Sequence, residues 1–424
     1  MTVIVALALG CTNNGPIAPS PGDPVAKFVH SAATGYFTDK PVDFDATLSA
    51  DPLFPIDSYL WDFGDGTAPI TSAAPKISHA FDRAGVHTVK LTIGDVAGRV
   101  SSASSACTIA MTTGLIATVD FPYTVSNVEI SGDYAYLLES QTKLHVIDMH
   151  NPHSPQKVAS MTFPDLIFDI KIRDQYAFIP DENQKIHVID IANPLNPHEV
   201  SAIDMPGYVN SVDFFGDYLL VGDWNAGTVN VVDVSVLSAP EIIGTVEIPG
   251  DFGSPGREVV AYGNYVYLAS FWSQQVGYFQ WATKEQITII DLTDPSNPLI
   301  AGSVGMRDVT FGHFSIVNLV LAGSYLYSTD QTGKMDIYDL ADPVHPELVE
   351  TRQMDLDYGE MESAPGRLYA AGLGRIVAYD ISNPVDPVEI GSASSSAYEI
   401  AVSEPYVLAV NGMWRQLFVY EFDR

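Results

Sequence analysis

Carboxylates are the side chains of this sequence that could most readily do chemistry, and they occur in three patterns. The stretch WDFGDGT, at 61–67, sets Asp62 and Asp65 among aromatic residues and glycines. An apolar-apolar-Asp motif recurs from residue 146 onwards, and a third set of polar residues lies about seven positions before a recurring tyrosine. Acids in such patterns can bind a cation, transfer protons or cap turns. The surrounding elements decide between these roles.

The WDFGDGT stretch is predicted to be a turn between strands, and not a metal loop or a catalytic acid pair. Trp61 and Phe63 alternate as in a strand with one buried face. Asp62 and Asp65 can accept hydrogen bonds from turn amides, and the glycines at 64 and 66 can adopt positive φ. A calcium loop would need acidic ligands at alternate positions over about a dozen residues and a closing Glu. That Glu is absent from the sequence.

The residues around this turn resemble a known module. FDATLSADPLFPIDSYLWDFGDGT, followed by HAFDRAGVHTVKLTI, closely resembles a PKD domain over Phe44 to Ile93. The resemblance implies an immunoglobulin-like β-sandwich, which we expect to occupy residues 26–112.

The rest of the chain is a repeat. The motif appears as VIDMHNPHSP, VIDIANPLNP, VVDVSVLSAP, IIDLTDPSNP, IYDLADPVHP and AYDISNPVDP, and a seventh copy, VYEF, lies at 419–422. A Tyr-rich alternating segment precedes each copy, so each unit is predicted to have four strands. Seven units of this length predict a closed propeller or a solenoid.

The segment 114–122, GLIATVDFP, has the pattern of a fourth strand, whereas the last unit shows only three. Pairing these two pieces would complete one blade and remove the exposed edges of the array. The predicted fold class is therefore all-β: a sandwich followed by a seven-bladed β-propeller at 113–424, closed by its first and last strands. The repeats resemble the LVIVD-repeat family, which implies a bacterial or archaeal surface protein and is silent on activity.

The recurring Asp residues are predicted to cap turns. They stand at 148, 190, 233, 291, 339 and 380, and an active site needs one asymmetric constellation, not a ring of copies. His145 and His187 share one register in consecutive units. Equivalent positions on adjacent sheets lie about 10 Å apart, too far to share one ion, so we interpret them as polar positions within the blades.

The third polar set is predicted to ring one mouth of a central channel. Its members are Asn127, Asp169, Ser211, Glu258, Asn318, Met361 with Glu360 beside it, and Glu399. Such a ring could hold a cation, with Ca²⁺ as the one cofactor considered, or a basic group of a partner. The alternative is a solvated channel lining.

A second candidate site lies in the long fourth unit, where the insertion at 271–286 is rich in aromatic residues. The predicted ligand-binding residues are Phe271, Trp272, Tyr278, Phe279 and Trp281, together with Asp223, Trp224 and Asn225 of the third unit. Aromatic side chains anchor interfaces and stack on sugar rings. The alternative is a longer hairpin whose aromatics pack on the neighbouring blade.

The net charge and the first residues of the chain indicate which partners and which cellular location to expect. The 52 acidic and 20 basic residues give a net charge of −32, which excludes nucleic acid as an expected partner. The segment ALGC, ending at Cys11, resembles a lipoprotein signal, which would make Cys11 the lipidated residue. A Pro- and Gly-rich tether at 12–25 would follow. We therefore expect a protein of the cell envelope that meets the membrane only through its lipid.

These features predict a monomeric, non-catalytic binding or adhesion protein whose propeller loops meet a protein or a carbohydrate. No nucleophile elbow, P-loop, HExxH or dinucleotide motif occurs. Two alternatives stay open: a hydrolase or lyase acting on extracellular polysaccharide or peptide, and a structural component of a surface layer or matrix.

Overall fold

The computed structural model describes residues 22–31, 36–37, 40–223, 226–248, 253–277, 280–309, 316–330, 332–354, 360–372, 374–411 and 413–423. These residues form strands and turns, and they include no helix. The chain divides into two compact units, one of residues 1–112 with 388–391 and 423–424, the other of residues 113–387 and 392–422. No described segment is a helix long and apolar enough to span a membrane.

The first unit is a two-sheet sandwich. One sheet has the order β1-β3-β6 and the other β2-β8-β7-β4-β5. Their strands are β1 (Val29–His30), β2 (Tyr36–Phe37), β3 (Pro41–Asp45), β4 (Ile56–Asp62), β5 (Ile70–Ser72), β6 (Lys76–Ala80), β7 (Gly85–Asp95) and β8 (Val100–Ala110). Alternating side chains of both sheets meet in one core that contains Phe44, Trp61, Phe63 and Phe81, all fully buried. The predicted strand alternation around Trp61 is therefore confirmed.

In the described part of the second unit, the strands form seven four-stranded sheets. The first six are consecutive antiparallel meanders. The first two sheets comprise β10 (Val125–Ser131), β11 (Tyr134–Glu139), β12 (Lys143–Asp148) and β13 (Gln156–Thr162), then β14 (Lys171–Arg173), β15 (Tyr176–Pro180), β16 (Lys185–Asp190) and β17 (His198–Asp204). The third and fourth comprise β18 (Val209–Phe215), β19 (Tyr218–Asp223), β20 (Thr228–Asp233) and β21 (Glu241–Glu247), then β22 (Gly253–Tyr262), β23 (Tyr265–Gly277), β24 (Gln280–Asp291) and β25 (Leu299–Val309). The fifth and sixth comprise β26 (Ile316–Ala322), β27 (Tyr325–Asp330), β28 (Lys334–Asp339) and β29 (Glu347–Gln353), then β30 (Met361–Ala364), β31 (Arg367–Gly372), β32 (Arg375–Asp380) and β33 (Val388–Ser394).

The seventh sheet takes one strand from the start of the unit. Its order is β34-β35-β36-β9, with β9 (Thr112–Asp120), β34 (Glu399–Ser403), β35 (Tyr406–Val410) and β36 (Gln416–Asp423). The segment predicted to be a fourth strand thus lies beside the last strand of the chain. Four-stranded repeats of this kind are consistent with a propeller-like fold.

Neighbouring sheets share their cores. The second and third strands of most units are buried along nearly their whole length, as in Tyr134–Glu139 and Lys143–Asp148. Each apolar cluster combines side chains of two sheets: Leu138 and Val146 pack with Ile179 and Ile189 of the next unit. The first sheet shares a further cluster with the seventh, in which Leu137 meets residues such as Val419. Burial on both faces explains why these strands read as continuous apolar runs.

The first strands of successive sheets also contact one another. The contacts run β10–β14, β14–β18, β18–β22, β22–β26, β26–β30 and β30–β34, and β34 contacts β10. Each sheet thus has two neighbours on its first-strand side.

Candidate functional site

The WDFGDGT turn has the structural role that its sequence predicts. Asp62 accepts a hydrogen bond from the backbone N–H of Gly64 at 3.1 Å. Asp65 accepts bonds from Thr67 and lies 2.6 Å from His79 Nε2. Burial alone would raise the pKa of Asp65, but its hydrogen bonds to Thr67 and His79 lower that pKa to about 2. Both carboxylates are therefore engaged in the turn.

The recurring Asp residues of the repeat likewise cap turns. In each of the six copies one carboxylate oxygen accepts the backbone N–H two residues further on, at 2.7–2.9 Å. This is the Asx-turn geometry expected where Asp precedes a proline-containing turn. Such an arrangement fixes the link between the third and fourth strands of a sheet.

His145 and His187 each pair with a carboxylate inside their own sheet. His145 Nε2 lies 3.0 Å from Glu139, and His187 Nε2 lies 3.2 Å from Asp181. Burial lowers the pKa of His145, and Glu139 opposes that shift. The two histidines thus occupy polar positions within the sheets, as predicted. Sequence reasoning missed their carboxylate partners, although Glu139 and Asp181 share a register 42 residues apart.

The predicted ring of polar residues forms links between neighbouring sheets. Glu360 accepts the Ile400 N–H at 2.8 Å, and Glu399 accepts the Asn127 N–H. The side-chain amide of Asn127 in turn donates to Asp169 at 3.3 Å. Asn318 is buried, and the side chain of Glu258 lies outside the described residues, as does that of Ser211. These bonds give the ring carboxylates a structural role between sheets.

The metal hypothesis gains no support from this ring. Among the described residues, no three His, Cys, Asp or Glu side chains lie close enough together to hold a metal ion. In Glu360 and in Glu399, one carboxylate oxygen accepts a backbone N–H of a neighbouring sheet.

A second polar set lies two residues further along the first strands. It consists of Glu129, Lys171, Asp213 and Glu362, which we call the axial cluster. Lys171 Nζ lies 3.0 Å from Glu129. Burial raises the pKa of Glu362 to about 8, with the Glu129 charge as a further cause, and burial raises that of Asp213 to about 6 against the effect of Lys171. The spacing of two from the ring was a signal that could have identified these residues from sequence.

The aromatic insertion is a hairpin. β23 and β24 pair well beyond the length of the corresponding strands in other sheets, through Trp272 opposite Lys284 and Gln275 opposite Trp281. Tyr278, Phe279, Trp224 and Asn225 lie outside the described residues, and so do the side chains of Phe271, Trp272 and Trp281. Asp223 is buried and accepts the Ala226 N–H at 3.1 Å. The backbone pairing shows a long hairpin, and both the packing and the ligand-binding role of its aromatic side chains stay predictions.

Exposed aromatic and thioether side chains do occur in the described part of the second unit. Tyr123, Tyr398, Met413 and Trp414 are 59, 41, 74 and 43% exposed, and Arg415 is exposed beside them in the chain. We call these five residues the end patch. Sequence reasoning missed them because nearly 300 positions separate the first from the last.

Backbone hydrogen bonds bring the segments of the end patch together. Phe121 N donates to Arg415 O at 2.7 Å and Val125 N to Trp414 O at 3.0 Å, on either side of Tyr123. Tyr398 N donates to Val410 O at 3.1 Å. The segments with Tyr123 and Tyr398 each connect a fourth strand to a first strand, and the segment 413–415 connects a second strand to a third. Because neighbouring strands are antiparallel, both kinds of connection lie at the same end of the sheets.

Family models match both parts of the chain. Residues 23–110 match the PKD domain, which extends the stretch recognised from its motif. Residues 124–162, 168–204, 206–247, 255–276, 280–305 and 316–353 match the LVIVD repeat. The chain thus carries a PKD domain and LVIVD repeats. The sixth and seventh repeat units lie beyond these matches and are recognised by their strands.

The solved structures that match this chain include two at low sequence identity. The computationally designed Ika8 protein is 11% identical, with a TM-score of 0.48 over 71% of this chain and 97% of that chain. BamB from Moraxella catarrhalis is 11% identical, with a TM-score of 0.46 over 73% of this chain and 98% of that chain. Among curated proteins, no match was found.

Proposed function

We propose that the seven sheets form a closed seven-bladed β-propeller, with β9 completing the last blade. The contacts between first strands support this proposal, because they return from β34 to β10. The axial cluster supports it independently: Glu362 of the sixth sheet lies within electrostatic range of Glu129 and Lys171 of the first and second sheets. First strands that face a common axis bring such residues together.

On this scaffold the protein is a non-catalytic binding protein, and the end patch is its contact surface. A propeller-like repeat fold suggests a binding or scaffold role. The observation that carries the proposal is the set of exposed Tyr, Trp, Met and Arg side chains gathered at one end of the sheets. Large side chains left exposed together mark sites of interaction.

The composition of the end patch favours a protein partner. Tyr, Trp, Met and Arg are the residue types enriched at protein interfaces, and Trp, Tyr and Arg dominate their binding energy. A carbohydrate, which would stack on the same rings, is the second outcome that the experiment separates.

Attachment to the cell envelope completes the proposal. Cys11 would carry the lipid, and the residues that follow it, up to the start of the PKD match at residue 23, would tether the protein to the membrane. Metabolic labelling of the expressing cells with a fatty-acid analogue tests this directly. We expect label on the protein and none on the Cys11→Ser variant.

The binding role is tested by presenting the purified full chain to a glycan array and, in parallel, to surface proteins of the expressing cells captured by cross-linking. A protein captured by the wild type should be lost with Trp414→Ala and with Tyr123→Ala, each by at least about tenfold in affinity. The matched control is Leu195→Ala, because Leu195 is 60% exposed on a turn at the opposite end of its sheet.

Loss of binding in all three variants, or in none, would contradict the assignment to the end patch. Binding to the array that depends on Trp414 would replace the protein partner by a glycan.

A further inference from the structure

The PKD domain exposes apolar side chains on two adjacent loops, one between β3 and β4 and the other between β7 and β8. Leu53, Phe54 and Val96 are 63, 42 and 59% exposed. The two loops touch, because Val96 N donates to the Pro55 carbonyl at 3.2 Å. Their exposed apolar residues form one surface, which we call the loop patch: Pro52, Leu53, Phe54, Pro55, Val96 and Ala97.

A network of charges beneath the loop patch fixes both loops. Arg99 Nη2 donates to the two oxygens of Asp51 at 2.8 and 2.6 Å, and Arg99 Nε donates to Asp95 at 2.6 Å. The same acids accept backbone N–H groups of the loops, Asp51 from Leu53 at 2.8 Å and Asp95 from Ala97 at 2.9 Å. Both carboxylates are fully buried. The loops are therefore held in one conformation, and these two negative charges are kept off the surface.

The start of the described chain lies against the loop patch. Arg99 Nη1 donates to the Gly22 carbonyl, and a Cβ on Gly22 would lie 3.1 Å from Leu53 Cδ1. Residues 12–21, which separate Gly22 from Cys11, contain no charged side chain. Fully extended, the chain from Cys11 to Gly22 spans at most about 40 Å. A lipid on Cys11 thus keeps the loop patch close to a bilayer.

A surface held so near a bilayer meets it at a high effective concentration, so that weak contacts suffice. Apolar side chains are stabilised at the boundary between headgroups and acyl chains, and an arginine beside them can keep its guanidinium among the headgroups. The net charge of −32 disfavours an anionic membrane surface, so a zwitterionic one is the better match.

We propose that the loop patch is a membrane-contact surface, which lies in the headgroup region of the bilayer that carries the Cys11 lipid. The inference rests on the proposed attachment through Cys11 and deepens it, because it names the face of the PKD domain that meets the lipid. Large apolar side chains exposed together on adjacent loops mark such interaction sites.

The test supplies the attachment chemically. The full chain is made by cell-free synthesis without membranes, so that Cys11 keeps its thiol, and is coupled through it to a maleimide-bearing lipid in phosphatidylcholine vesicles. Cys107 is buried and does not compete. A phospholipid with a photoactivatable diazirine near its headgroup then labels the protein groups that enter this region, and mass spectrometry locates the label. We expect label on the peptides that contain Leu53, Phe54 and Val96.

Two variants separate the loop patch from general contact with the vesicle. Leu53→Glu should lower the labelling of these peptides about tenfold, since a charge replaces a side chain that gains from burial. Ile70→Glu is the matched control. Ile70 is 42% exposed and pairs with Trp61, towards the end of β4 remote from Pro55. This variant should be labelled like the wild type.

Label confined to the residues next to Cys11, or spread over the protein without preference for the loop patch, would overturn the proposal. So would equal labelling of the wild type and Leu53→Glu. If the loop patch instead joins two copies of this chain, its peptides stay unlabelled, which also overturns the proposal. Because the coupling here is chemical, these failures are distinguishable from a failure of the cell to attach lipid to Cys11, which the fatty-acid labelling detects.

Discussion

At the scale of single residues, the acids of this chain are mostly structural. Asp62 and Asp65 bind turn amides, and Asp148 and its five equivalents cap the turns of the repeat. The sequence predicted these roles because an acid followed by Gly or Pro at fixed spacing has few other uses. It did not reveal the carboxylate partners of His145 and His187, which depend on how strand ends meet in space.

The two glycines of the WDFGDG turn provide a test at this scale. Both have positive φ, but a Cβ on Gly64 would lie 2.5 Å from the Thr88 carbonyl oxygen, whereas one on Gly66 would meet open space. Gly66→Ala should cost about 1 kcal/mol from backbone strain alone. Gly64→Ala should cost about 1–3 kcal/mol more, since backbone atoms must move. Thermal unfolding of the PKD domain within the full chain measures both, and equal losses would contradict the close approach.

At the scale of strands and turns, second-strand tyrosines link the fourth and fifth units to the units that follow them. The Tyr327 hydroxyl of β27 donates to the Pro384 carbonyl at 2.9 Å, and Tyr267 of β23 donates likewise to Pro343 at 2.8 Å. Each tyrosine thus reaches the proline turn of the following unit. Tyr369, at the equivalent position of β31, instead donates to Glu404 at 2.7 Å, and Phe178 of β15 has no hydroxyl to donate.

Removing one such hydroxyl should weaken the array. Tyr327→Phe leaves the Pro384 carbonyl without its buried donor, so we expect a loss of about 1–2 kcal/mol in the free energy of unfolding. Tyr176→Phe is the control, because the Tyr176 hydroxyl accepts an exposed hydrogen bond from the neighbouring Gln175 and, among the described residues, makes no bond to another sheet. Denaturant unfolding of the second compact unit within the full chain measures the free energy of unfolding of both variants. Equal stability of the two variants would argue against a linking role.

At the scale of the molecule, the sequence was most informative where the pattern is local. Strand alternation, turn residues and the repeat period predicted the all-β class, the sandwich and the four-stranded units, all of which the structure contains. The end patch was beyond it, since Tyr123 and Trp414 come together only through the arrangement of whole sheets. The aromatic insertion, in contrast, is visible in the sequence because its residues lie close together in the chain.

The central claim is that the repeat units form a closed ring in which β9 is the last strand of the seventh blade. The bond from Phe121 N to Arg415 O places Asp120 opposite Gln416, and their side chains are 2.7 Å apart. Cysteines at both positions should therefore form a disulfide. The Cys11→Ser background removes a competing thiol, and Cys107 is buried.

The most direct measurement is the oxidation of Asp120→Cys/Gln416→Cys under native conditions, followed on non-reducing gels. Lys143→Cys/Thr162→Cys, directly opposite each other within the first sheet, is the positive control. The account predicts that both pairs cross-link within single chains at similar rates. A control that cross-links while the 120–416 pair stays reduced would contradict the closed ring.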